Sequence, residues 1–503
     1  MDTFATIWET ELKAEHQVDI TKGLDKLKAA LAALESAKIK TVMFSIGWND
    51  MQPAENSTRI DYLDQLVGTV CSTTKLRVMM VVDLLRPPGW VRDRFPDSSP
   101  SDASGRLYTG HISWFHELGI KRGLAFLDVV ARHLAGTYSG CAVAIQPVYN
   151  NEYEAKYTQE YDLFQDYSPY AVAAFQTWLR SGIPTVAALN SRWGSAFGSW
   201  KDVRPPVLHA GARMGFDESA SYWDWMRFRE EWGADTFNRA CAVVKAAGLQ
   251  CYHHFPEFFS VLDAIYAAGM FPRIAASEHT DFVIMDSNFR TSYRTAVKHT
   301  LKLRLYVGAA QAYGKPVYFE AAMERFNDRA FIVEGYKDAL IAGAANMGIT
   351  NWINRVEMNA SLTEAILPHP PCPATERVGV FLPLQSCIGW WGLQREAEAQ
   401  DPLHDFVEAI AENVTARGCG AEAAVYVELE RFLADMDTFD SAVFVEPLLL
   451  WGGAEAEAYW GAKAALQRVP HQVLRLPTNH SRGLDLKVLS NPWEGLPRPP
   501  LLR

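Results

Sequence analysis

The chain has 503 residues, a net charge of −11 at pH 7, 49% hydrophobic and 21% charged residues. That length exceeds one core, so a large domain plus a smaller one is expected, and the composition rules out a disordered chain. The acidic balance argues against nucleic acid or an acidic membrane surface as partner.

The N-terminal run Met1-Asp2-Thr3-Phe4 lacks a basic stretch followed by an apolar one, so no signal peptide is expected. No apolar run reaches the roughly 18 residues that a membrane helix needs. The seven cysteines (Cys71, Cys141, Cys241, Cys251, Cys372, Cys387 and Cys419) are scattered without a CxxC pair. Neither a zinc site nor a disulfide framework is therefore expected, and a reducing cytoplasm fits best.

In chain order, Phe4 to Trp8 reads as a first strand, and leucines at helical spacing mark a helix over Ile20 to Lys38. Thr41 to Ile46 reads as the second strand, Ile60 to Cys71 as a helix and Leu76 to Leu84 as an apolar third strand. The irregular segment from Arg86 to Leu118 is too long for a plain connector, so it is expected to serve function. A helix over Ile120 to Tyr138 leads to a fourth strand, Cys141 to Ile145, ending in Gln146-Pro147-Val148-Tyr149-Asn150-Asn151-Glu152-Tyr153. Helices follow over Pro169 to Ser181 and Ser219 to Ala247. The fifth strand, Gln250 to His253, ends at His254, and the sixth, Phe282 to Met285, at Asp286. After a helix over Tyr293 to Tyr313, the seventh strand, Pro316 to Phe319, ends at Glu320. A helix over Asp328 to Ala345 precedes the eighth strand, Gly348 to Trp352.

Such alternation, with polar residues gathered at strand ends, predicts a (β/α)₈ TIM barrel over residues 1–370. The Pro-rich stretch Leu367 to Pro373 reads as a linker. Strands over Val378 to Leu382, Ala421 to Val427, Ser441 to Leu449 and Gln472 to Leu476 alternate with helices over Pro402 to Arg417 and Ala454 to Arg468. They predict a smaller doubly wound α/β domain over 375–480, without a GxGxxG nucleotide fingerprint. Residues 481–503 read as an extended C-terminal tail.

An Asn-Glu pair ending a barrel strand suits acid–base work on a sugar, because the Glu can protonate a leaving oxygen while the amide holds a hydroxyl. By itself the dipeptide reads more readily as a surface turn rich in Asn and Glu. Glycoside cleavage needs a second carboxylate across the scissile bond, and Glu320 ends another strand; Glu324, four residues on, is its rival. The 16 Trp and 19 Tyr suit stacking on sugar rings, although most will be core.

Longer stretches then carry a resemblance. Pro87-Pro88-Gly89-Trp90-Val91-Arg92-Asp93-Arg94-Phe95-Pro96 with Asp102 to Arg106 resembles the segment after strand three in glycoside hydrolase family 42, mostly β-galactosidases. Trp48-Asn49-Asp50-Met51-Gln52-Pro53 resembles the segment after strand two, with Gln52 where a Glu is usual. Leu189-Asn190-Ser191-Arg192-Trp193-Gly194-Ser195-Ala196-Phe197 is similar to the signature LNxxWGTxFW. His253-His254-Phe255-Pro256-Glu257-Phe258-Phe259 is similar to HNFMGFF, with His254 in the Asn place.

The resemblance covers residues 1 to about 475 and implies a retaining, exo-acting β-glycosidase that cleaves β-linked oligosaccharides without metal or cofactor. It implies Glu152 as acid/base and Glu320 as nucleophile, with Asn151 at the 2-hydroxyl. Burial and the charge of Glu320 are expected to favour the protonated form of Glu152. Trp48, His111, His254, Asp286, Trp352 and Glu357 are candidate substrate-binding residues, Trp352 as a floor for the sugar. The family's α/β domain mediates trimer contacts, so a homo-oligomer is expected.

Two departures stand out. The family's Arg near the acid/base is missing from Tyr108-Thr109-Gly110-His111-Ile112-Ser113, so either His111 substitutes for it or nothing here plays its part. The Glu and His pattern after strand eight is also out of register, with Arg355 and Glu357 as the nearest polar residues. Another sugar specificity on the same frame (β-mannosidase, β-glucosidase or endo-acting) and a catalytically silent sugar-binding protein are the alternatives.

Overall fold

In the computed structural model, residues 2–8, 20–157, 164–207, 219–256, 263–287, 307–321, 343–350, 375–390, 421–475 and 486–496 are described, with positions 305, 333, 336, 337, 339, 340, 352, 363 and 410. Eight parallel strands close in sequence order into a barrel: β1 Asp2–Ile7, β2 Thr41–Gly47, β3 Arg77–Asp83, β4 Ala142–Val148, β5 Gln250–Phe255, β6 Phe282–Ser287, β7 Val317–Ala321 and β8 Asn346–Ile349. Closure comes from β1 pairing with β8, Phe4 against Gly348. A Cβ at Gly348 would lie 2.0 Å from the Phe4 ring, so this position leaves room for the aromatic that fills the barrel floor.

Strand residues alternate between two cores. Phe4, Met79, Ala144, Val148, Tyr252 and Ile284 pack together inside the barrel. Ala5, Met80, Ile145, Cys251 and Val283 belong to the larger cluster, packed with helical residues such as Leu127, Phe237 and Ala240. The same count carries the chain to its mouth. Gln146, His254 and Glu320 each stand two residues beyond an inward Ala144, Tyr252 or Tyr318, so they share the inner face. Strand four therefore reaches three residues past its predicted end at Ile145, through Pro147.

The helix Ala220–Ala246 is the main strut, 27 residues long, with Asp224, Arg229 and Glu230 buried in it. The Arg229 guanidinium donates to the carbonyls of Gln165, Ala264 and Ile265 at 2.6–2.7 Å. One cation thus ties the segment before helix Pro169–Gly182 to the one after β5.

Four further strands, β9 Glu376–Phe381, β10 Ala421–Tyr426, β11 Ser441–Glu446 and β13 His471–Arg475, form a second parallel sheet in the order β10-β9-β11-β13. The C-terminal stretch departs from the extended tail expected there. Lys487–Leu489 (β14) pairs with Leu449–Trp451 (β12). Trp493 packs on Trp178 with centroids 3.7 Å apart. Apolar and aromatic residues near a chain end find a partner, and these do.

The cysteine expectation is also corrected. Cys71 is joined to Cys141, and Cys241 to Cys251. Helix-to-strand packing brings together cysteines 70 and 10 positions apart, which spacing alone does not reveal. The reading of a reducing compartment loses the support it took from free thiols.

Candidate active site

Glu320 is buried on β7, 1% exposed, in register with Asp286 of β6 and Gly348 of β8. His254 Nδ1 stands 3.4 Å from Glu320 Oε2. A carboxylate that close favours the imidazolium, but burial is the larger influence, and with nearby Lys156 it pushes His254 down to about 3. The ring is therefore neutral at neutral pH. Its Nε2 is buried without a hydrogen-bond partner among the described residues, as is the Tyr252 hydroxyl below it.

The loop after β4 is built around Asn150, a residue that the sequence alone does not single out. Its Oδ1 accepts from the amides of Glu152 and Glu154, and its Nδ2 donates to the carbonyls of Glu154 and Lys156. The loop is anchored to β5 by the Ala155 amide, which donates to the His254 carbonyl at 2.6 Å. Asn151 Oδ1 is buried without a hydrogen-bond partner among the described residues.

Glu152 is exposed, contrary to the burial expected of it. Its carboxylate pairs with Lys156 Nζ, which also pairs with the buried Glu154. Lys156 is itself buried, 4.4 Å from the Tyr266 ring centroid. Desolvation opposes its charge, yet the two carboxylates outweigh it and hold the ammonium ionised. A lysine in a polar loop reads from sequence as solvated, so nothing in the sequence marks this group.

Both tryptophans proposed for the sugar are buried. Trp48 is 1% exposed, donates to Gln52 Oε1 and stacks on Phe126, on the helix side of β2. Trp352 lies beyond the end of β8 and is fully buried in the outer cluster. A tryptophan at a strand end looks the same in sequence whichever way it points. His111 is buried, its ring near-parallel to Tyr108 at 6.3 Å. Asp286 is placed by register beside Glu320, while Glu324, Arg355 and Glu357 lie outside the described residues.

Two of the longer motifs supply structural contacts. In Leu189 to Phe197, Arg192 and Trp193 both donate to the buried Asp224, and Gly194 caps the helix at φ 66°. Arg94, from the helix Gly89–Arg94, pairs with Glu55 in the segment after β2. Cys241, Cys251 and His253 gather donors of metal-ligating type, but sulfurs tied in a disulfide do not ligate a cation.

A closed parallel barrel with a carboxylate and an imidazole brought together at its carboxyl mouth defines a (β/α)₈-barrel protein. Residues 22–325, more than half the chain, match the profile of glycoside hydrolase family 42, described as beta-galactosidase. The chain belongs to that family. It is 27% identical over 256 residues to a β-galactosidase of Thermus thermophilus, covering 48% of this chain and only 35% of that protein. The β-galactosidase of the haloarchaeon Halorubrum lacusprofundi superposes with a TM-score of 0.72 at 15% identity, over 98% of this chain and 76% of that one. That of Rahnella sp. R3 gives 0.69 at 14%, over 94% and 70%. At these identities the two structures show the shared fold.

Proposed function

We propose that the chain is a retaining, exo-acting β-glycosidase of β-galactosidase type, acting on β-linked oligosaccharides by double displacement. The observation that carries this reading is Glu320, a buried carboxylate inside the barrel mouth with His254 at 3.4 Å. Glu320 attacks the anomeric carbon and forms a glycosyl ester as the glycosidic bond breaks. Glu152 gives its proton to the departing oxygen, then takes one from the water that cleaves the ester. Asn151 holds the 2-hydroxyl, whose hydrogen bond strengthens in the transition state.

Lys156 supports the cycle through its second carboxylate. When Glu152 takes up a proton, Glu154 remains as counter-ion, so no buried ammonium is left unpaired. Neutral His254, with Nδ1 3.4 Å from Glu320, offers its buried Nε2 to a substrate hydroxyl. Burial strengthens the interactions of Glu320 and His254.

Glu320→Ala tests the reading. Turnover of an aryl β-galactoside should vanish, and azide should restore some rate with inverted product. Glu152→Ala should keep activity on substrates with good leaving groups, and azide should give retained product. Inverted product from the unmutated enzyme would overturn the mechanism.

The sugar itself is decided by a panel of aryl β-glycosides. Loss of the family's Arg near His111 supports turnover of at least one other β-glycoside above the galactoside. We further propose a homo-oligomer, a trimer, supported by Trp460 standing 62% exposed beside the second sheet. A monomer by light scattering at micromolar concentration refutes it.

A further inference from the structure

Trp48 and Trp352 are buried, and a second pair of aromatic rings lies against the inside of the barrel. Trp8 follows β1 and Tyr153 follows the end of β4, and their rings meet with centroids 5.2 Å apart, tilted by 41°. Both are half-buried and pack on the cluster inside the barrel. They lie over its upper end rather than against the surrounding helices.

The chain holds Tyr153 there against its local preference. Its backbone sits at φ 63°, a region that costs a non-glycine residue about 1 kcal/mol or more. Gln146, from the inner face of β4, donates from Nε2 to the Tyr153 carbonyl at 2.6 Å and fixes that turn. Two further observations point to a ligand. Tyr153 directly follows Glu152, and the buried His254 Nε2 has no hydrogen-bond partner among the described residues.

We infer that Trp8 and Tyr153 form the platform on which the pyranose ring of the substrate lies. A β-linked sugar presents one face of axial C–H groups and a rim of hydroxyls. The first suits stacked aromatic faces, and the second suits His254 and Asn151 at the edge. The tilt between the rings makes a shallow trough rather than a flat wall, which orients the ring as well as holding it. This assignment rests on the barrel mouth being the glycosidase site, and it adds the residues that position the sugar.

The test uses the full chain carrying Trp8→Ala, Trp8→Phe, Tyr153→Ala or Tyr153→Phe. Binding of D-galactose and D-glucose is measured by calorimetry in a Glu320→Gln background. kcat and KM on 4-nitrophenyl β-D-galactopyranoside and β-D-glucopyranoside are measured in the active one. The Ala variants should weaken binding of the preferred sugar and raise KM by roughly tenfold or more, while the Phe variants stay within about threefold.

Should an Ala variant fail to fold, Leu in its place against Phe makes the same comparison at similar bulk. Equal binding by Ala and parent chains overturns the platform, as does Phe failing as badly as Ala. A parent chain that binds neither monosaccharide also overturns it. Weakened binding in the Ala variants of a chain that cleaves no glycoside leaves the platform standing and removes the hydrolytic reading. Hydrolysis indifferent to all four substitutions does the reverse.

Discussion

His254 and Glu320 reach each other across β6, from strands that are not neighbours, and a neutral imidazole is set 3.4 Å from a buried carboxylate. Burial and Lys156 lower the proton affinity of the ring to about 3, so His254 does not change charge between pH 5 and 8. The pH profile of kcat/KM should therefore contain no limb that belongs to it. His254→Asn should lower kcat/KM roughly tenfold to a hundredfold and leave both apparent pKa values in place. A profile that loses a limb in this variant contradicts the assignment.

Lys156 divides its charge between Glu152 and Glu154, and that division sets a second expectation. In Glu154→Gln the ammonium keeps Glu152 as its sole carboxylate, so a proton placed on Glu152 would leave a buried cation unpaired. Protonation of a poor leaving group should suffer, with little loss where none is needed. Turnover of an alkyl β-glycoside should fall about tenfold or more, while a 2,4-dinitrophenyl glycoside stays within about threefold. Equal losses on both would show that Glu154 serves packing alone.

The third expectation concerns stability. Glu230 is buried in the helix Ala220–Ala246, hydrogen-bonded to Gln385 and 3.7 Å from Arg227. Burial pushes its carboxyl up to about 7 despite that cation. A carboxyl with a raised folded-state pKa holds its proton more tightly in the native state. Its contribution is therefore complete below the unfolded value near 4.5 and is lost as pH rises through 7. The difference amounts to about 3 kcal/mol. Glu230→Gln should flatten melting temperature between pH 5 and 8 and melt higher than the parent at pH 8.

The fourth concerns the cysteines. With Cys71–Cys141 and Cys241–Cys251 formed, the denatured, unreduced chain should expose no more than three alkylatable thiols out of seven. Closing the 70-residue loop is worth on the order of 4 kcal/mol in the chain-entropy account, so reductant should lower the melting temperature measurably. Seven reactive thiols in freshly purified protein would remove both bonds.

The eight strands are legible because parallel strands buried on both faces are near-continuous apolar runs, and Thr41–Gly47 and Val317–Ala321 stand where that pattern puts them. The aromatic part of the site is not. Which face a side chain takes depends on counting alternate residues from a true strand end, and β4 ends at Val148 rather than Ile145. Nearness to a strand end picks out Trp8, Trp48 and Trp352 alike, and only packing across the barrel brings Trp8 against Tyr153. Lys156 and Asn150 escape because loops rich in Asn, Glu and Lys usually face water. Only the folded chain shows that this one turns a lysine inward.

Two histidines stand in succession on β5, and the pleat sends them to opposite sides. His253 lies 3.1 Å from the Cys241 sulfur on the outer face, while His254 faces Glu320 within. Selection for packing and selection for chemistry thus fall on adjacent codons. A drift that loosens the helix behind His253 is felt one peptide away, at His254, and through it at Glu320. Directed evolution of the specificity of this barrel is therefore best started from β1 and the loop after β4, leaving β5 as the fixed datum.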